Sequence, residues 1–141
     1  MDYTYPVNIR FDCTKCGLCC GDTEHKKRRI LLLEQEAQTI AKETTKPTQA
    51  FTTENSNNQP FIYEMKKTTE GKCVFLKNNQ CRIYAQRPLI CRFYPFELKT
   101  ENNQHIFSFT LECPSLNRGK IINKKYFDVL FKLARQKLQQ S

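Results

Sequence analysis

Eight cysteines dominate the chemistry open to this chain, and four of them fall within eight residues. The run Cys13-Thr14-Lys15-Cys16-Gly17-Leu18-Cys19-Cys20 places two sulfurs at i and i+3, a spacing at which one turn aims both at the same point. Gly17 carries no Cβ and lets the loop curl back to bring in a third. The remaining four, Cys73, Cys81, Cys91 and Cys113, are spread along the second half. A tetrahedral site takes four sulfurs at about 2.3 Å, and a four-iron cluster takes one cysteine per iron. Eight sulfurs therefore suffice for two such sites or for one polynuclear site. Adjacent side chains of extended backbone point to opposite sides, so Cys19 and Cys20 are expected to serve different metals, or one of them to bridge.

The other use of eight cysteines is a framework of four disulfides, which an oxidising compartment would favour. The chain starts Met1-Asp2-Tyr3-Thr4-Tyr5-Pro6, without the basic and apolar stretches of a secretory leader. That start predicts a cytoplasmic protein, where thiols stay reduced and clustered cysteines act as ligands. Adjacent cysteines also rarely bridge one another, so Cys19-Cys20 fits a disulfide framework poorly. Ligand chemistry by itself leaves iron and zinc both open. The bacterial ferredoxin spacing is not matched, because Cys20 follows Cys19 directly and no proline comes next. Asp12, Asp22 and His25 are the candidate non-sulfur donors. Arg82, Arg87 and Arg92 lie near the later cysteines, where guanidinium groups would stabilise a thiolate-rich, negatively charged centre.

With 141 residues, 39% hydrophobic and 26% charged, the chain is expected to form one domain over 1–141. No apolar run approaches the roughly 18 residues a membrane helix needs. The formal charge is +9, but eight thiolates would cut the protein's own charge to +1. Two basic patches stand out. One is Lys26, Lys27, Arg28 and Arg29, after His25; the other is carried by the C-terminal helix and its approach. Both suit solvated faces, or contacts to RNA or to a protein assembly. Only four glycines are present, two of them in the cysteine loop, and none forms a dinucleotide fingerprint or a phosphate-binding loop. Whether the chain is an enzyme is left open. An activity would have to come from the metal centre, as electron transfer or as an open iron site.

The elements that must position these sulfurs read as short. Residues 5–11 alternate apolar and polar and predict a strand leading into the cysteine loop. A helix is predicted from Leu33, with Ala37, Ile40 and Ala41 on one face and Glu34 and Glu36 at its positive end. The Thr-, Asn- and Gln-rich stretch 43–60 predicts an exposed, flexible loop. A strand follows over 61–65. Cys73 and Cys81 are expected on paired strands flanking a turn at Asn78-Asn79. Pro88 predicts the first turn of a short helix carrying Cys91, with Pro95 ending it. Another strand is predicted over 105–111 and a C-terminal helix over 123–139. The expected fold is α+β: a small single domain with short strands, a hairpin and two to three helices, stapled by cysteine-ligated metal.

Phe11-Asp12-Cys13-Thr14-Lys15-Cys16-Gly17-Leu18-Cys19-Cys20-Gly21 resembles the signature of the CxxCxxCC, or YkgJ-like, cysteine-cluster family. The second half of that pattern is present in Cys73-Val74-Phe75-Leu76, in Cys81-Arg82-Ile83-Tyr84 and in Arg87-Pro88-Leu89-Ile90-Cys91-Arg92-Phe93-Tyr94-Pro95. The resemblance runs over about 11–113. It implies a zinc- or iron-chelating domain, with Cys73, Cys81, Cys91 and Cys113 joining the first four as ligands. Members of the family are often labelled iron–sulfur proteins, which favours an iron–sulfur cluster or iron over zinc. Longer relatives, the bacterial flagellin lysine methylases, look similar through the cysteine module.

Overall fold

Two apolar cores organise the chain in the computed structural model, which describes residues 3–12, 21–22, 27–78, 80–110 and 116–139. The first is built by β3 (Leu31–Leu32), α1 (Glu34–Thr44), β4 (Thr52–Asn58) and β5 (Phe61–Met65). These strands form an antiparallel sheet in the order β3-β5-β4. Helix α1 lays Ala37 and Ile40 against this core, three residues apart and so on one face. It ends where Thr45 turns left-handed at φ 55° and donates its N–H to the Ala41 carbonyl.

The segment 43–60, predicted as a loop, instead contains a 3-10 turn (Thr48–Ala50) and strand β4. Fully buried Phe51 anchors its start. Beyond Thr52 the strand faces solvent on both sides at the sheet edge, so it needs no apolar alternation and shows none. Polar residues on such an edge also discourage further strand pairing.

The second core is aromatic. Strands β8 (Phe96–Glu101) and β9 (Gln104–Phe109) form a hairpin in continuous register from Phe96↔Phe109 to Glu101↔Gln104. Its turn, Asn102-Asn103, has φ of 50° and 63°, the left-handed pair that two-residue hairpins require. The strand predicted over 5–11 is interrupted at Pro6 and at Asn8, which has φ 59°. What forms is β1 (Tyr3–Thr4), parallel to β9, and β2 (Arg10–Phe11), antiparallel to β10 (Leu116–Ile121). Helix α3 (Lys124–Gln139) closes this core with Phe127, Leu130, Phe131 and Ala134, the i, i+3, i+4, i+7 stripe of an amphipathic helix. Phe127 meets Phe96 edge-on at 5.1 Å and stacks on Tyr5 at 5.2 Å between ring centres. The whole is a small α+β domain with three α-helices among the described residues. None of the described helices is long and apolar enough to cross a membrane.

Strand β1 is pinned to α3 by the Tyr3 hydroxyl, which donates to the Asp128 carboxylate; Lys124 reaches the same carboxylate at 3.1 Å. The Tyr3 hydrogen bond and then Lys124 hold the Asp128 carboxyl below the usual carboxylate range. A depressed folded pKa contributes stability that is fully present above the unfolded value of about 4 and is lost as pH falls through the folded value. Asp128→Asn is therefore expected to lower the urea midpoint at neutral pH, with the gap from wild type closing below about pH 4. A gap that stayed constant into acid would contradict this role for the charge.

Between the cores runs the short helix α2 (Leu89–Phe93), started by Pro88 at its N-cap and ended before Tyr94-Pro95. Leu89 and Phe93 face the second core, while Cys91 packs on the first. Glu36, 4% exposed, ties the three helices together. One of its oxygens accepts the Leu33 N–H at 3.0 Å; the other accepts the Leu89 N–H at 2.5 Å and the Lys137 ammonium at 2.9 Å.

Candidate metal centre

Cys73, Cys81 and Cys91 come from an isolated bridge, a short strand and helix α2, and all pack on the first core. Cys81 ends β7 (Gln80–Cys81), which pairs with β6 (Leu76–Lys77) in the register Leu76↔Cys81. Asn78 turns the hairpin at φ 53°. Cys73 lies three residues before β6, not on it as expected, in an isolated bridge with Lys67. It is 3% exposed, and its Sγ accepts the Phe75 N–H at 3.5 Å. Cys91 sits midway along α2.

Cys13, Cys16, Cys19, Cys20 and Cys113 lie outside the described residues, as does His25. The points where the chain leaves and returns are nonetheless fixed. Phe11, two residues before Cys13, pairs with Leu116, three residues after Cys113. Gly21, directly after Cys20, bridges antiparallel to Lys72, directly before Cys73. The Asp22 N–H then donates to the Gly71 carbonyl at 2.9 Å. Segment 13–20 thus leads from a strand of the second core to a bridge beside the Cys73 of the first.

That bridge depends on a glycine. A Cβ on Gly21 would stand 2.6 Å from Lys72 Cδ, 2.9 Å from the Gly71 carbonyl oxygen and 3.1 Å from Lys72 Cα. The lysine side chain can move aside, but the backbone atoms can give way only by opening the bridge. Gly21→Ala is expected to cost about 1–3 kcal/mol, as overpacking does, and to speed metal loss to a chelator. Unchanged stability and unchanged metal loss would refute the anchoring role.

Asp22, a candidate donor from sequence, is already engaged. Its Oδ1 accepts the Lys67 ammonium at 2.9 Å and the Arg28 N–H at 2.6 Å. The lysine, then the amide, hold the Asp22 carboxyl below the usual range. Asp12 packs its Cβ against Gly119, which needs its positive φ of 76° there. Of the three arginines, Arg82 is exposed. Arg87 lies over the Tyr84 ring at 3.8 Å. Arg92 donates from Nε to the Arg87 carbonyl at 3.0 Å and from Nη2 to the Ala85 carbonyl at 2.9 Å. Arg92 therefore holds the turn that sets Cys81 relative to Cys91. The N-terminal basic run is also partly occupied. Arg28 lies 5.1 Å over the Tyr94 ring, and Arg29 pairs with Glu64 at 2.9 Å. Sequence patterning missed Glu36, whose acidic side chain at a helix start reads as an ordinary dipole contact.

The donor chemistry suits a thiophilic ion. Among the described residues no group of three or more His, Cys, Asp or Glu is placed to hold a metal ion, so Cys73, Cys81 and Cys91 share a core without forming such a group.

A family model described as "Putative zinc- or iron-chelating domain", with the name CxxCxxCC, matches residues 12–118. A protein of Methanocaldococcus jannaschii, "Uncharacterized protein MJ0661", is 29% identical over 133 residues, covering 92% of this chain and 69% of that protein. No solved structure matches the chain.

Proposed function

The chain belongs to the CxxCxxCC family of zinc- or iron-chelating domains, and from that membership we propose that it carries a cysteine-ligated iron–sulfur or iron centre used in electron transfer. The ligands are drawn from Cys13, Cys16, Cys19, Cys20, Cys73, Cys81, Cys91 and Cys113. The supporting observation is the gathering of Cys73, Cys81 and Cys91 on one core, next to the bridge at which segment 13–20 ends. An iron–sulfur cluster, when bound, supplies one-electron chemistry. The chain's own residues supply the rest. Phe75 N–H supports the Cys73 sulfur, Arg92 and Asp22 fix the loops that present the ligands, and the first core shields the Cys73 side from water.

Zinc is the second reading. Cysteines from separate parts of the chain that pack on one core suit a structural cross-link, whether or not the ion is redox-active. Protein purified without oxygen separates the two. Iron with acid-labile sulfide and visible absorption bleached by dithionite is the expected result. Colourless protein with stoichiometric zinc and no sulfide would overturn the iron reading and leave the staple.

A further inference from the structure

The stretch 116–138 holds seven lysines and arginines against one acid, Asp128, so six of the chain's nine excess positive charges reside there. Lys137 is committed to the buried Glu36, and four of the others share one face of α3. At 100° per residue, Lys124, Lys125, Lys132 and Arg135 fall within roughly 100° of arc on α3. All four are exposed, opposite the stripe of Phe127, Leu130, Phe131 and Ala134 that is buried in the second core. Asp128, on the same face, is neutralised by Lys124 and held by the Tyr3 hydroxyl. The N-terminal run differs, since its Arg28 and Arg29 already stack on Tyr94 and pair with Glu64. Of the two basic patches in the sequence, the C-terminal one is the more available to a partner.

We infer that the outer face of α3 is a docking surface for the phosphate backbone of RNA. The cations run along one side of the helix for about 15 Å, ten residues at 1.5 Å each, a length that spans several phosphates. The face is lysine-rich, and lysine is depleted in protein–protein interfaces while serving as a point-charge partner for phosphate. It presents no exposed aromatic anchor of the kind that dominates protein interfaces; its one large apolar group is Val129, 67% exposed. The apolar side of α3 is committed to the core, so the helix cannot insert it into a membrane surface. Charge complementarity with a flexible polyanion is what remains. The proposal does not depend on which metal the cysteine centre holds.

The test is fluorescence anisotropy of the metal-loaded protein with a labelled single-stranded RNA of about 20 nucleotides, a length that exceeds the face. Contacts to three or four phosphates predict a slope of log affinity on log salt of roughly −2 to −3. The triple variant Lys125→Glu, Lys132→Glu, Arg135→Glu should weaken binding at least tenfold while keeping wild-type circular dichroism and metal content. A control with the same charge change on the first-core half, Lys42→Glu, Lys46→Glu, Lys77→Glu, should stay within about twofold. Absence of binding at low salt, equal losses in the two variants, or tighter binding of a polyglutamate of similar length would each overturn the assignment.

Discussion

Stripping the metal is expected to open the first core while leaving the second folded. Apart from the buried Phe75 and Ile83, the segment that carries Cys73 and Cys81 has little regular structure to hold it. Strands β6 and β7 are two residues each, and an isolated hairpin of that size is not stable in water. The second core has a six-pair hairpin, a 16-residue helix and a continuous aromatic cluster. Structural metal sites in small domains supply on the order of 10 kcal/mol of folding energy, so even a fraction of that decides the first core. Hydrogen exchange should show the amides of Val74, Leu76 and Arg82, which donate to Lys66, Cys73 and Phe75 carbonyls, losing protection by at least about 100-fold. Amides of β9 and α3 should change little. Uniform loss across both cores, or none, would show that the cysteines do not staple the first core selectively.

The second large effect belongs to Glu36. Its buried carboxylate satisfies the amides that start α1 and α2 and the ammonium of Lys137 near the end of α3. Glu36→Ala leaves two helix-terminal N–H groups without an acceptor and removes the partner of a largely buried ammonium. Removing one partner from such a buried pair costs about 3–5 kcal/mol, a large share of the 5–15 kcal/mol a domain usually has. For a chain of this size about 3 kcal/mol corresponds to roughly 10 °C in the melting temperature. Lys137→Met should also destabilise, because it leaves the buried Glu36 carboxylate without its countercharge although the two amides keep their acceptor. A Glu36→Ala protein within about 0.5 kcal/mol of wild type, the range of an ordinary surface change, would show that this junction is not structural.

Much of the fold was readable from sequence where apolar residues recur at a fixed period, although the alternating stretch 5–11 is broken at Pro6 and Asn8. Ala37 and Ile40 marked α1, the stripe from Phe127 to Ala134 marked α3, a short apolar run marked β5 and alternation marked most of β9. Strands β4, β8 and β10 escaped. β4 is an exposed polar edge, and β10 carries Asn117 and Gly119 at positive φ with almost every residue beyond Leu116 in solvent. The partner of β10 is β2, near the other end of the sequence, a pairing that local patterning cannot register. Count and type of the candidate ligands were plain from the sequence. What spacing could not supply was the route by which Gly21 meets Lys72, or the way Arg28 and Arg29 fold onto Tyr94 and Glu64. Contacts of this kind depend on tertiary geometry and leave no periodic trace.

The central claim is that sulfurs from separate parts of the chain share in holding metal. Metal content per chain, measured side by side for wild type, Cys16→Ser, Cys81→Ser and Cys91→Ser purified without oxygen, tests it most directly. Serine keeps the size of cysteine but lacks the soft thiolate that zinc and iron prefer. The account predicts that each substitution, in the N-terminal cluster, on β7 or on α2, lowers the bound zinc or iron per chain. Wild-type metal content in Cys81→Ser and Cys91→Ser, with loss confined to Cys16→Ser, would contradict it and restrict the centre to the N-terminal cluster.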